Sequence, residues 1–209
     1  MKAHIPMPLV LCEGKEDMLI IKEIAKAAGL ADQLRFDQYE GSGKLLPFLA
    51  NLKVSPEYTR GEYSRILLTC DADDDYGKAW KSLCDAISQV FSCHLEAPLA
   101  LAKQGNGPAL SAAVISGPDK TGMIETLCMD SSRANTAELF KCLDPLMECL
   151  ESSQGKMPHE KIRFAFWTII AQGNDARKRL SVERAISHIP INWNCTTFAP
   201  VVEMLKSVI

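Results

Sequence analysis

Apolar and polar positions change their period in a regular order along this chain. Pro8-Leu-Val-Leu-Cys12 is wholly apolar and ends in Glu13-Gly14; a helically spaced stretch from Asp17 to Ala28 follows, with Gly29 behind it. This pattern predicts a buried strand, a tight turn and a helix closed by glycine. Leu34 to Tyr39 alternates as a second strand, Gly41-Ser-Gly43 breaks the chain, and Lys44 to about Lys53 is helical. Ser55 to Ser64, with Pro56 and Gly61, reads as an exposed loop. Arg65-Ile-Leu-Leu-Thr-Cys70 is again a fully apolar strand, running straight into Asp71-Ala-Asp-Asp-Asp75 and then a helix from Tyr76 to about Phe91. Glycine and proline at Gly105, Gly107 and Pro108 introduce a fourth strand, Ala112 to Ser116; the turn Gly117-Pro-Asp119 then leads through Gly122 to Met123-Ile-Glu-Thr-Leu-Cys128.

Strands alternating with helices predict an α/β fold with a mainly parallel sheet of about four strands flanked by helices. From Thr136 onward the pattern is helical only: Ala137 to about Glu151, Lys161 to Gln172 and Val201 to Val208, punctuated by Pro158 and Pro190. The expected organisation is an α/β core over residues 1–132 and a helical extension over 133–209 packed on it. No internal repeat stands out.

Composition narrows the chemistry. A chain of 209 residues with 47% hydrophobic content can bury one good-sized core. Its formal net charge is −3, so any nucleic-acid contact must be local, metal-bridged or weak. The eight cysteines contain no C-x-x-C pair and sit among apolar neighbours, which argues against zinc. His4, His94, His159 and His188 share no ligand spacing, and no Ser-His-Asp or Cys-His arrangement is suggested. Ile5 to Cys12 is too short and proline-interrupted for a signal segment, and no run approaches a membrane span, so a soluble cytoplasmic protein is expected.

Two of the most apolar strands end in carboxylates, Glu13 and Asp71. Parallel α/β sheets bind ligands outside the carboxyl ends of their strands. Asp17 follows Glu13 by about one helical turn, and Asp71 and Asp73, two apart in an extended chain, would point to one side. Four acids can thus meet, at a cost in repulsion that a hard cation bound by oxygen, Mg²⁺ or Mn²⁺, would relieve. Structural roles compete with this: Asp74 or Asp75 can cap the helix from Tyr76, and Asp17 can stabilise the first turn of its own helix. Gly41-Ser-Gly-Lys44 lacks the spacing of a nucleotide-binding P-loop but can offer backbone N–H groups to an anion. With Gly14 and Lys15, the residues Gly41, Gly43 and Lys44 are the candidate phosphate contacts.

Leu11-Cys-Glu13-Gly14-Lys-Glu-Asp17 and Leu67-Leu-Thr-Cys-Asp71-Ala-Asp73 together resemble the Toprim domain of topoisomerases, bacterial primases and OLD-family nucleases. Length, Asp71-Ala-Asp-Asp-Asp75, Gly117-Pro-Asp119 and Gly122-Met-Ile-Glu125 are similar to those of small free-standing Toprim-like proteins of bacteria and archaea. Lys120 stands where asparagine would be expected. The resemblance implies Glu13 as general acid or base and metal-site member, with Asp71 and Asp73 as Mg²⁺ ligands. The OLD-like arrangement adds Asp17, and Glu125 is the candidate acid for a second metal site. The expected activity is metal-dependent phosphodiester cleavage on nucleic acid, that of a nuclease or phosphotransferase. The alternatives are a non-catalytic module that binds a nucleotide or nucleic acid through the metal, or a regulatory partner of a separate ATPase. No Walker A sequence, catalytic tyrosine domain or primase zinc module is present, so a bare nuclease-like unit or one component of a pair is expected.

Overall fold

A computed structural model describes residues 5–103, 105–116, 122–133, 135–154, 160–172 and 191–209. Gly117-Pro-Asp119, Lys120, His4, His159, His188, Pro158 and Pro190 lie outside the described residues. The chain forms two compact units, Met1–Gly122 with Ala199–Ile209, and Met123–Phe198.

The first unit is built on a four-stranded sheet of order β2-β1-β3-β4, parallel throughout. Its strands are β1 (Met7–Cys12), β2 (Arg35–Gln38), β3 (Tyr63–Cys70) and β4 (Ala109–Val114). The two central strands are buried on both faces, which is why their sequences run apolar without alternation. Between them come α1 (Lys15–Ala27), α2 (Leu45–Val54), the short α3 (Pro56–Thr59) and α4 (Tyr76–Phe91). On one face Leu9, Leu11, Ile66, Leu68, Leu110 and Ala112 join Leu45 and Leu49 of α2 and Leu83 and Ile87 of α4 in a single core. Their neighbours Val10 and Leu67 leave by the opposite face, the side on which a right-handed crossover places α1. There α1 buries Ile20, Ile21, Ile24 and Ala25, and α8 (Ala199–Lys206) lies against it, with the Arg65 guanidinium donating to the Ser207 carbonyl at 2.9 Å.

Local signals set the boundaries. Gly29 takes a left-handed φ of 71° behind α1, and the Leu30 N–H reaches back to the Ala25 carbonyl at 2.8 Å. Asp75 caps α4 by accepting from the Lys78 N–H at 2.9 Å, the structural role foreseen for it. The segment from Ser55 to Ser64 is not simply a loop. Ser55 caps α3 through the Tyr58 N–H at 3.2 Å, and β3 already begins at Tyr63, which pairs with Met7. Strand β4 starts three residues before the expected Ala112, because pairing with β3 extends back to Arg65 opposite Ala109.

The second unit contains α5 (Ile124–Arg133), α6 (Ala137–Gln154) and α7 (Glu160–Gln172). Its centre is aromatic: Trp167 stacks on Phe164 and Phe140 at centroid distances of 5.7 and 6.5 Å. Among the described residues no helix is long and apolar enough to cross a membrane.

Candidate metal and phosphodiester site

Strand β1 connects to β2 on one side of it, and the chain then returns to place β3 on the other. The strand order therefore reverses between β1 and β3, and a crevice opens where such a sheet reverses, beyond the carboxyl ends of the two strands. Glu13 leaves β1 and Asp71 leaves β3 at that crevice. Both line a cleft of about 370 Å³, together with Asp73, Tyr39, Ser42 and Cys70. The two carboxylates at the strand ends thus share one end of the sheet, as expected.

Asp17 is 2% exposed, and its Oδ2 accepts the Gly14 N–H at 2.7 Å, closing the first turn of α1. The structural role considered for Asp17 is therefore present. It does not compete with a metal role, because one carboxylate oxygen of Asp17 lies within 4.8 Å of one from Asp71, itself 6% exposed. The absence of a side chain at Gly14 leaves this room: a Cβ there would stand 3.1 Å from Asp17 Oδ2.

Asp73 is placed differently from the extended geometry the spacing suggests. Its φ is 47°, and a bridge to Gly122 holds it: the Gly122 N–H donates to the Asp73 carbonyl at 2.9 Å, and the Ala72 N–H to the Gly122 carbonyl at 3.2 Å. Two-residue alternation therefore does not apply beyond Cys70. Asp73 is solvent-exposed on the rim of the cleft, whereas Asp71 is inside. Asp74 is exposed on the same rim.

The glycine-rich turn does offer a backbone N–H to an anion, and the anion is Glu13. The Ser42 N–H donates to Glu13 Oε1 at 3.0 Å, and the Gly41 N–H to the Glu13 carbonyl at 2.9 Å. Lys44 pairs with Glu40 at 2.6 Å, and Gly14 gives its N–H to Asp17, so two of the candidate phosphate contacts are engaged by the protein's own carboxylates. Lys15 and Gly43 are solvent-exposed. The clamp on Glu13 depends on Gly41, whose φ of 101° and ψ of 154° suit glycine alone. Gly41→Ala is expected to cost about 1–3 kcal/mol of stability in a urea melt. An unchanged midpoint would show that the turn relaxes freely and does not hold Glu13. The turn was noticeable as a motif, but nothing local in the sequence identified Glu13 as its partner.

Cys70, at the end of β3, marks the electrostatic centre. Burial raises its thiol pKa well above the usual range, and the charges of Glu13, Asp71, Asp73 and Asp17 raise it further, so all four acids act on one point. Burial likewise raises the Cys12 thiol, and Asp17 adds to the shift. A raised thiol pKa means the neutral form persists below it, so both groups stay protonated and unreactive through neutral and mildly alkaline pH. Iodoacetamide at pH 8 is expected to alkylate the exposed Cys142 and Cys149 and to spare Cys12 and Cys70 until the protein unfolds. Modification of Cys70 in the native protein would contradict this electrostatic picture. Tyr39 is also buried and unsuited to give up a proton; burial raises its hydroxyl pKa, and it donates to the Thr69 carbonyl at 2.9 Å.

Glu125 belongs to the second unit, in the first turn of α5, and is 1% exposed. His94 is solvent-exposed, in keeping with the absence of histidine ligand spacing.

Among solved structures, the chain is similar to the C-terminal region of the Xanthomonas campestris pv. campestris OLD protein. That likeness has 10% sequence identity and a TM-score of 0.45, over 97% of this chain and 95% of that one. The C-terminal region of the Burkholderia pseudomallei OLD protein is similar at 14% identity and a TM-score of 0.41, over 97% and 98% of the two chains. No curated protein matches the chain. The family model described as "Protein of unknown function (DUF3226)" matches residues 7–209, and the chain belongs to that family.

Proposed function

We propose that the cleft between the ends of β1 and β3 is a Mg²⁺- or Mn²⁺-dependent site for cleaving phosphodiesters in nucleic acid. The observation that carries this is the approach of two buried carboxylates, Asp17 and Asp71, to within 4.8 Å at the reversal point of a parallel sheet. Two like charges at that spacing in a buried setting are costly alone and favourable around a cation. The donors are all oxygen, which suits hard Mg²⁺ or Mn²⁺ rather than zinc.

In this proposal Asp17 and Asp71 hold the cation, and Asp73 and Glu13 meet it from the rim of the cleft. On the Toprim resemblance Glu125 stays the candidate acid for a second metal site. Bound there, the cation would polarise the phosphate and stabilise the leaving oxygen. Glu13 handles a proton as general acid or base: it either takes one from the attacking water as the new P–O bond forms, the leaving oxygen then drawing its proton from solvent, or gives one to the oxygen freed when the old P–O bond breaks. The Ser42 N–H holds Glu13 Oε1 in place at the cleft. The Gly14–Asp17 hydrogen bond fixes Asp17 before any ligand arrives.

The test is incubation of purified protein with labelled single- and double-stranded DNA and RNA in Mg²⁺, in Mn²⁺ and in EDTA. Cleavage in either metal but not in EDTA is the expected result. Tight metal-dependent binding without turnover would replace this reading with that of a non-catalytic module.

A further inference from the structure

We infer that the substrate strand runs out of the acidic cleft along a groove between the start of α2 and the exposed face of α4, so that the site takes a single-stranded polynucleotide rather than a free nucleotide. This rests on the phosphodiester reading above. The groove has a volume of about 340 Å³, and it shares Ser42, Leu45, Lys78 and Ser82 with the cleft, so the two are continuous. A volume of that size accommodates a nucleotide-sized unit.

Its chemistry is unlike that of the cleft. The charged lining of the cleft is mainly carboxylate, whereas the groove adds Leu46 and Lys81 to the shared Leu45 and Lys78 and holds one carboxylate, Asp85. The two lysines are three residues apart on α4 and therefore share a face. Lys81 is paired with Asp85, also in the groove, but that pair is solvent-exposed and weak enough to yield to a phosphate. No ion pair engages Lys78 among the described residues. An apolar strip for sugar and base, edged by two cations, suits the nucleotide that follows the scissile phosphate in a strand. A nucleoside monophosphate seated in the cleft would have no second phosphate to place beside Lys81.

Fluorescence anisotropy with a labelled single-stranded oligonucleotide, in Mg²⁺ at several salt concentrations, tests the groove directly. Hydrolysis of that oligonucleotide and of bis(p-nitrophenyl) phosphate in Mn²⁺ tests it kinetically. In the exposed double variant Lys78→Glu with Lys81→Glu, oligonucleotide binding is expected to weaken by about tenfold or more, with a shallower salt dependence. Its kcat/KM preference for the oligonucleotide over the small diester should fall by a similar factor, while circular dichroism stays unchanged. Annealing the complement to the oligonucleotide should weaken binding to the parent. Equal oligonucleotide binding and equal preference in parent and variant would overturn the groove, even where both hydrolyse the small diester. Duplex binding as tight as single-strand binding would also overturn it. Lysine-dependent oligonucleotide binding by a parent that hydrolyses neither substrate would support the groove and remove the catalytic reading.

Discussion

Glu13→Gln is expected to lower metal-dependent phosphodiester cleavage by about 10²–10⁴-fold, the usual range for loss of a general acid or base, and Asp71→Asn is expected to lower it by weakening metal binding. The two variants fail for different reasons. Glutamine keeps an oxygen for the Ser42 N–H, so the side chain stays in place while its proton chemistry is lost. Asparagine at position 71 removes a negative charge from the buried pair with Asp17 and so weakens the cation. Initial rates over a range of Mg²⁺ and Mn²⁺ concentrations separate the two effects. Raising the metal concentration should partly rescue Asp71→Asn and should not rescue Glu13→Gln. Full activity in both variants would mean that the cleavage arises elsewhere.

The second large effect is on stability and needs no substrate. Two unit charges at the outer limit of that 4.8 Å approach repel by about 3 kcal/mol at an effective dielectric of about 20. In EDTA, Asp71→Asn is therefore expected to be more stable than the parent, by up to about that amount. Asp17→Ala loses the same repulsion but also the hydrogen bond to the Gly14 N–H, worth about 0.5–2 kcal/mol, and leaves an unfilled space, so it should gain less or lose. Asp73→Asn should change little, because its carboxylate stands in solvent on the rim. Urea melts in EDTA order the three. A strongly destabilised Asp71→Asn would mean that the acid is held by structural partners and stores no repulsion.

The parts of this site that could be read from the sequence are those fixed by local pattern. Apolar runs ending at Cys12 and Cys70 placed Glu13 and Asp71 at strand ends, because strands buried on both faces show as unbroken apolar segments. The cap at Asp75 was legible for the same local reason. Features set by distant partners were not. Asp73 takes its left-handed backbone from a bridge to Gly122, and no alternation rule near Asp73 carries that information. The glycine turn at Gly41 signalled an anion, but not that the anion is Glu13, far back in the chain. The last helix showed an apolar face, yet its pattern could not say that Ala199–Ile209 rejoins the unit of the sheet. Periodicity reports that a face is covered and is silent on what covers it.

The central claim, that carboxylates from the first turn of α1 and the end of β3 form one cation site, is tested most directly by calorimetric titration of Mn²⁺ and Mg²⁺ into the substrate-free protein. The parent and an Asp17→Asn, Asp71→Asn double variant should be compared, with thermal melts in parallel. The account predicts saturable binding by the parent and stabilisation of about 1.4 kcal/mol at roughly ten times Kd, with both effects lost in the double variant. Absence of metal binding by the parent, or the same binding by the double variant, would contradict it.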